Sequence, residues 1–183
     1  MIRIVFYLIG IITANVVTAT FPPFPFGPFL VPFGTFFIGF TFVLRDLVQN
    51  KFGRNKTYLV ILTALILSAI ISHMLGDTLW VVFASALSFI VSESMDTEIY
   101  TRLNKPMHTR IFISGLFGGT FDSTIFVIVG LSPLTMGAIT WQQVPLAILG
   151  QIIVKSVLQG LGAIVVYFIN KKRGLDVWQN ENV

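Results

Sequence analysis

Leu79 to Tyr100 reads LWVVFASALSFIVSESMDTEIY, an apolar run that carries Ser92, Glu93, Asp96 and Glu98 into its last turns. As one helix the run is long enough to cross the hydrocarbon core of a bilayer. Ionisable groups inside such a span are costly and mark pathways or pockets. A helix turns by about 100° per residue, so Ser85, Ser88, Ser92 and Asp96 share an arc of about 80°, with Glu93 about 60° to one side. Glu93 and Asp96, three residues apart, are close enough to share one ligand. Glu98 points elsewhere and is expected at the headgroup level. The chain is therefore read as an all-α bundle arranged around this acid face.

Composition supports that reading. Only 11% of the 183 residues are charged and 55% are hydrophobic. Soluble domains carry about 25% charged residues, so this chain is too apolar to cover itself in water. It reads as an integral membrane protein with the lipid bilayer as its solvent. The absence of cysteine removes disulfides, thiolate metal sites and thiol nucleophiles. The net charge of +4 is no nucleic-acid footprint, because the basic residues cluster at the ends of apolar runs.

Six spans are expected, at about 4–19, 34–48, 57–73, 78–100, 111–129 and 144–170, forming one transmembrane domain over residues 1–183. Val17-Thr18-Ala19 resembles a signal cleavage site, but the preceding run is long for a signal peptide and is read as a retained helix. Between the first two spans lies FPPFPFGPFLVPF, Phe21–Phe33, whose prolines at 22, 23, 25, 28 and 32 forbid a helix. It is expected at the outer interface or folded back over the bundle as an aromatic cap. Basic residues fall at Arg3, at 51–56, at 102–110 and at Lys171-Lys172-Arg173, ahead of a polar tail. The alternate loops 20–33, 74–78 and 130–143 carry no lysine or arginine. That asymmetry predicts both termini in the cytoplasm and a multi-pass protein of the cell membrane, the inner one if there are two.

Other spans repeat the polar face. Gly115, Gly118, Gly119 and Asp122 lie on one side of the fifth, where a neighbouring backbone can approach an acid closely. Gln151, Lys155, Gln159 and Gly162 share an arc of about 80° on the sixth. Asn15 sits one or two turns from the outer end of the first. Substrate contact is expected from Asn15, Glu93, Asp96, Asp122, Gln151 and Lys155, with Asp46, Ser92 and Gln159 behind them. Arg45 is expected to snorkel to the inner interface, while Asp46 faces another way and caps loop amides. One lysine does not neutralise Glu93, Asp96 and Asp122, so either a proton or a ligand must supply the balance.

No GxSxG or HExxH motif is present, and His73 and His108 fall at opposite ends of their spans. An intramembrane enzyme would have to rely on Asp96 and Asp122 sharing a proton. The chain is therefore read as no enzyme and as needing no cofactor or metal. A solute carrier fits the polar set better. Carboxylates accept paired N–H donors, amides read donors and acceptors, and aromatic rings stack on planar ligands. Such a pocket permits a purine-like base with a ring N–H beside an exocyclic amino group.

Taken together, Asn15, Asp46 in RDLVQNKFG, Glu93 and Asp96 in SESMD with IYTRL after it, Asp122 in GLFGGTFDSTIF and Lys155 in GQIIVKSVLQ resemble the queuosine precursor transporter family. That family lies in the vitamin-uptake group related to the substrate-binding S-components of energy-coupling-factor transporters. The resemblance covers nearly the whole chain, and it rests on the order and spacing of the motifs. It implies a six-helix, S-component-like fold and import of a 7-deazaguanine such as preQ0 or preQ1. It also implies that Glu93, Asp96, Asp122, Lys155 and Asn15 line the substrate site, with Asp46 there or holding the inner loop. The alternatives are an S-component for another vitamin-like solute, partnered by an ATP-driven coupling module, or an intramembrane enzyme.

Overall fold

A computed structural model describes residues 1–21, 23–77, 79–135 and 137–172. Pro22, the expected fourth-span start at Thr78, Arg173 and the polar tail lie outside the described residues. Six long helices follow in chain order: α1 (Ile2–Thr20), α2 (Gly34–Phe52), α3 (Arg54–Met74), α4 (Leu79–Arg102), α5 (Met107–Ile125) and α6 (Val144–Lys172). The helices overrun the apolar stretches that announced them. NKFGRNK, expected as a loop, is almost wholly helical and is broken only at Gly53, whose φ of 80° suits glycine. Hydropathy marks the hydrocarbon layer, whereas lysine and arginine are good helix formers and carry the helices on to the headgroups.

The proline-rich segment does fold back, and it does so as a hairpin. Strands β1 (Phe24–Phe26) and β2 (Phe29–Val31) pair antiparallel, with Phe24 opposite Val31 and Phe26 opposite Phe29. The two-residue turn places Gly27 at φ 59°, as primed hairpin turns require. Val31 is buried, and the strand seats against α6 at Gly150, where a side chain would strike Phe29 and Val31. Phe33 gathers the rings of Phe21 and Phe24 at 5.8 and 5.7 Å. This short sheet is the one departure from the all-α expectation among the described residues.

Five helices among the described residues are long and apolar enough to cross a membrane: α1, α3, α4, α5 with its continuation to Leu131, and α6. Their exposed sides are apolar, as at Leu59, Leu62, Ile66 and Ile70 on α3 or Leu161, Ile164, Val165 and Phe168 on α6. The chain is a multi-pass membrane protein whose polar groups face inward. Helix α2 stands outside that set, since it carries Arg45, Asp46 and Lys51. It packs against all five others, and ten of its 19 residues are buried. The covered side of α2 can therefore carry polar groups, while Phe36, Phe37 and Phe40 stay exposed on the other.

Small residues let the helices close on α2. A side chain at Gly39 would meet the α6 backbone at Lys155, and one at Gly162 would strike Val43. The α2–α6 seam is therefore tight, as small residues permit between membrane helices. At the end of α5 the backbone changes to a π-helical turn, Phe126–Leu131, before Pro133. Wide turns of this kind often accompany functional sites.

Candidate functional site

Buried polar groups gather in two clusters. The first is centred on Arg45, whose guanidinium is wholly inaccessible. Its Nη2 contacts Asp46 at 3.0 Å and pairs closely with Asp96, while Nε lies 3.3 Å from Glu93. Its Nη1 donates to Gln49 Oε1 and to Thr97 Oγ1, both at 3.0 Å. Gln49 in turn donates to the Thr97 carbonyl and the Thr101 hydroxyl. Three carboxylates thus surround one cation, with none of the four side chains more than 2% exposed.

This arrangement overturns two expectations. Arg45 does not snorkel to the interface, and Asp46 does not turn away from it. The arginine stem is surrounded by other helices and has no water-facing direction in which to extend. A readable signal was the spacing of Thr41, Arg45 and Gln49, which at i, i+4, i+8 form one buried polar stripe on α2.

The second cluster is centred on Lys155. Its Nζ donates to Asp122 Oδ2 at 2.6 Å and Ser123 Oγ at 2.8 Å, with Gln151 Oε1 at 3.5 Å. Unlike the first cluster, it faces an open space. A cavity of about 90 Å³ is lined by Asn15, Asp122, Gln151 and Lys155 together with Ser68, Asp77, Ser88, Phe89 and Phe126. That is room for several water molecules. Asn15 Nδ2 donates to Ser68 Oγ at 2.7 Å across the α1–α3 gap. Ser72 bonds to Asp77 at the α3–α4 turn, and both also border the cavity. The Nε2 of Gln151 is buried without a hydrogen-bond partner among the described residues.

The expected set is therefore divided. Asn15, Asp122, Gln151 and Lys155 share the cavity. Glu93 and Asp96 close on Arg45 instead, one to two turns further along α4 than the cavity residues Ser88 and Phe89. Asp46 joins them there. Ser92 turns back to its own helix, donating to the Phe89 carbonyl at 3.2 Å. Gln159 is fully buried against Gly115, where a Cβ would stand 2.7 Å from the amide carbon. Gly118 likewise lets α5 approach Asp96. Glu98 stays apart, partly exposed, bonded to the Tyr58 hydroxyl at 2.8 Å and paired with Arg54. Ser123, Ser68, Asp77, Phe89 and Phe126 were not anticipated. Ser123 was marked by its place beside Asp122, while the rest come from α3, α4, the turn between them and the end of α5, which only the folded bundle brings together.

A multi-pass helical bundle enclosing a polar, ion-paired cavity is built to hold a small solute within the membrane. Residues 69–169 match the family model described as "Putative vitamin uptake transporter". The matched stretch is more than half of the chain and contains the Glu93–Asp96 carboxylate pair and the Asp122–Lys155 ion pair. The chain belongs to this vitamin uptake transporter family. No curated protein and no solved structure matches it.

Proposed function

We propose that the protein imports a queuosine precursor, a 7-deazaguanine such as preQ0 or preQ1, across the cell membrane. The observation that carries this reading is the composition of the cavity wall. It combines an acceptor carboxylate (Asp122), a cation (Lys155), an amide with a free N–H (Gln151) and two aromatic rings (Phe89 and Phe126). A guanine-like edge offers a ring N–H and an amino group to Asp122 and accepts from Gln151 and Lys155 through its carbonyl. The rings supply flat apolar contact for the base. Asn15 and Ser68 border the same space from α1 and α3.

Topology follows in the same reading. All six helices cross, as one transmembrane domain, with both termini in the cytoplasm. Support comes from Lys51, Arg54, Lys56, Arg102, Lys105, Arg110, Lys171 and Lys172, which sit at helix ends joined by alternate loops. The cavity residues then occupy the outer half of the bundle, and Arg45 with its acids closes the inner half.

The test is complementation. A bacterial strain unable to make the precursor should regain queuosine in its tRNA when it expresses this protein and is given preQ0 or preQ1. Failure with both bases overturns the substrate assignment. Thermal unfolding of the purified protein across purines, deazapurines and vitamins should show stabilisation by the deazapurines, because a specific ligand raises apparent stability by mass action. Stabilisation by a different vitamin instead, with uptake only alongside an ATP-driven coupling module, would favour the S-component reading.

A further inference from the structure

We infer that Glu93 is the site of an exchangeable proton, and that this proton couples solute uptake to the proton gradient; the coupling half of the inference rests on the transport reading above. A guanidinium has five N–H groups. In Arg45 only Nη1 makes hydrogen bonds, to Gln49 and Thr97, whereas Nη2 faces Asp46 and Asp96, and Nε faces Glu93, as ion-pair contacts. Both carboxylate oxygens of Asp46 and of Asp96, and Oε2 of Glu93, are buried with no hydrogen-bond partner among the described residues. One cation against three carboxylates also leaves an excess of negative charge where neither water nor salt reaches. An uncompensated charge in that setting is strongly unfavourable.

A second observation points to a mobile ligand rather than a static fault. The hydroxyls of Tyr7, on α1, and Ser114, on α5, are fully buried against the carboxylates of Glu93 and Asp96 respectively and have no other hydrogen-bond partner among the described residues. A hydroxyl donates to a carboxylate and accepts from a carboxylic acid, so both are placed to follow a proton as it arrives or leaves.

Three features single out Glu93. Its contact with the guanidinium is the longest of the three. It lies one turn beyond Phe89, which lines the cavity. Beyond it the polar run Thr97, Gln49 and Thr101 continues toward the end of α4. The charged and titratable groups that face it are Tyr7 on α1, Arg45 and Asp46 on α2, Asp96 on its own helix, and Asp122 on α5, itself paired with Lys155 of α6. Helix α3 carries no titratable side chain between Tyr58, which binds Glu98, and His73.

The step is a simple proton transfer. When the bundle opens toward the cavity, the Glu93 carboxylate takes a proton from a hydronium ion there, one O–H bond of the hydronium breaking as one forms on Glu93. That bond breaks when the inner side opens, and the proton passes to water there. One proton enters with each solute, and nothing is oxidised or reduced.

Two arms test this separately. Infrared spectra of the purified protein without solute should show the carbonyl stretch of a protonated carboxylic acid. That band should fade as pH rises, shift in Tyr7→Phe and vanish in Glu93→Gln. A spectrum without it, or an unchanged band in Glu93→Gln, overturns the proton site whatever the solute turns out to be. In proteoliposomes, uptake of radiolabelled preQ1 should rise several-fold with acid outside and collapse with a protonophore. Glu93→Gln should still exchange preQ1 across the vesicle wall but lose its response to the gradient. Uptake driven by sodium, or by ATP through an added module, overturns coupling. No binding of preQ0 or preQ1 by a protein that shows the band sinks the substrate proposal and leaves the proton site standing.

Discussion

The two ion clusters differ in the way that matters most for a buried charge. Around Lys155 the charges balance, one cation to one acid, and the Asp122 side chain keeps 15% of its surface exposed toward the cavity. Around Arg45 they do not balance, and none of the four charged side chains has more than 2% exposure. A ligand can reach the first and exchange hydrogen bonds with it. The second is closed on every side and can exchange only something as small as a proton. Two clusters that look alike as charged residues within spans are thus set apart by access and stoichiometry.

The sharpest way to break that contrast is to remove Arg45. Arg45→Met leaves three facing carboxylates with no cation, and truncating one partner of a buried pair costs about 3–5 kcal/mol. Most of the protein should be lost from the membrane fraction, and what remains should unfold far below the wild type. If Arg45→Met is as stable as wild type, the cluster is not the closed knot described above. Lys155→Met is expected to be milder, about 1–3 kcal/mol, because Asp122 can be solvated from the cavity. It should nevertheless abolish stabilisation by 7-deazaguanines. The double variant Lys155→Met/Asp122→Leu should recover most of the lost stability and none of the ligand response. Recovery of both would make the pair structural only.

Much of the fold was legible because lipid imposes simple rules. Apolar runs, alternate basic loops and the proline-rich break announced the long helices and the cap. The limits were blurred, since hydropathy reports the hydrocarbon layer whereas helices continue through charged ends such as Lys51 and Arg102. The candidate site was legible in part. Phase along each helix grouped Asp122, Lys155 and Gln151, and Asn15 stood out by its place near the outer end of α1, but phase says nothing about depth or about which helix is central. Arg45 was misplaced for that reason. A lone arginine near a helix end usually snorkels, and only knowledge that α2 packs against the other five excludes it. Division of the acids into two groups depends likewise on which helices meet, a tertiary fact absent from any single span.

Within the cavity a subtler variant separates ligand contact from structure. Gln151 Nε2 has no partner among the described residues and its Oε1 makes only a long 3.5 Å contact with Lys155 Nζ, so its loss should cost little stability. Removing an unsatisfied buried polar group in favour of an apolar one of similar shape is nearly neutral or stabilising. Gln151→Leu should therefore unfold close to the wild-type temperature. If the amide donates to the bound base, base affinity should fall about tenfold, the equivalent of roughly 1.4 kcal/mol. Unchanged affinity would remove Gln151 from the contact set.

The smallest effect is expected at Glu98, a third acid on the same helix. It shares α4 with Glu93 and Asp96 but sits near the helix end, where Tyr58 and Arg54 meet it and Arg102 lies 3.4 Å away. Arg102 is 80% exposed and Arg54 about half exposed. Water and salt therefore screen the set, and exposed pairs of this kind are worth at most about 1 kcal/mol. Glu98→Gln should leave base binding unchanged, shift unfolding by no more than a few degrees, and lose even that shift at high salt. The substitution is chemically the same as Glu93→Gln and lies five residues away on one helix. If the two variants behaved alike, burial and access would not be what distinguishes the acids of α4. Opposite behaviour would tie the function of each carboxylate to the depth at which the bundle holds it.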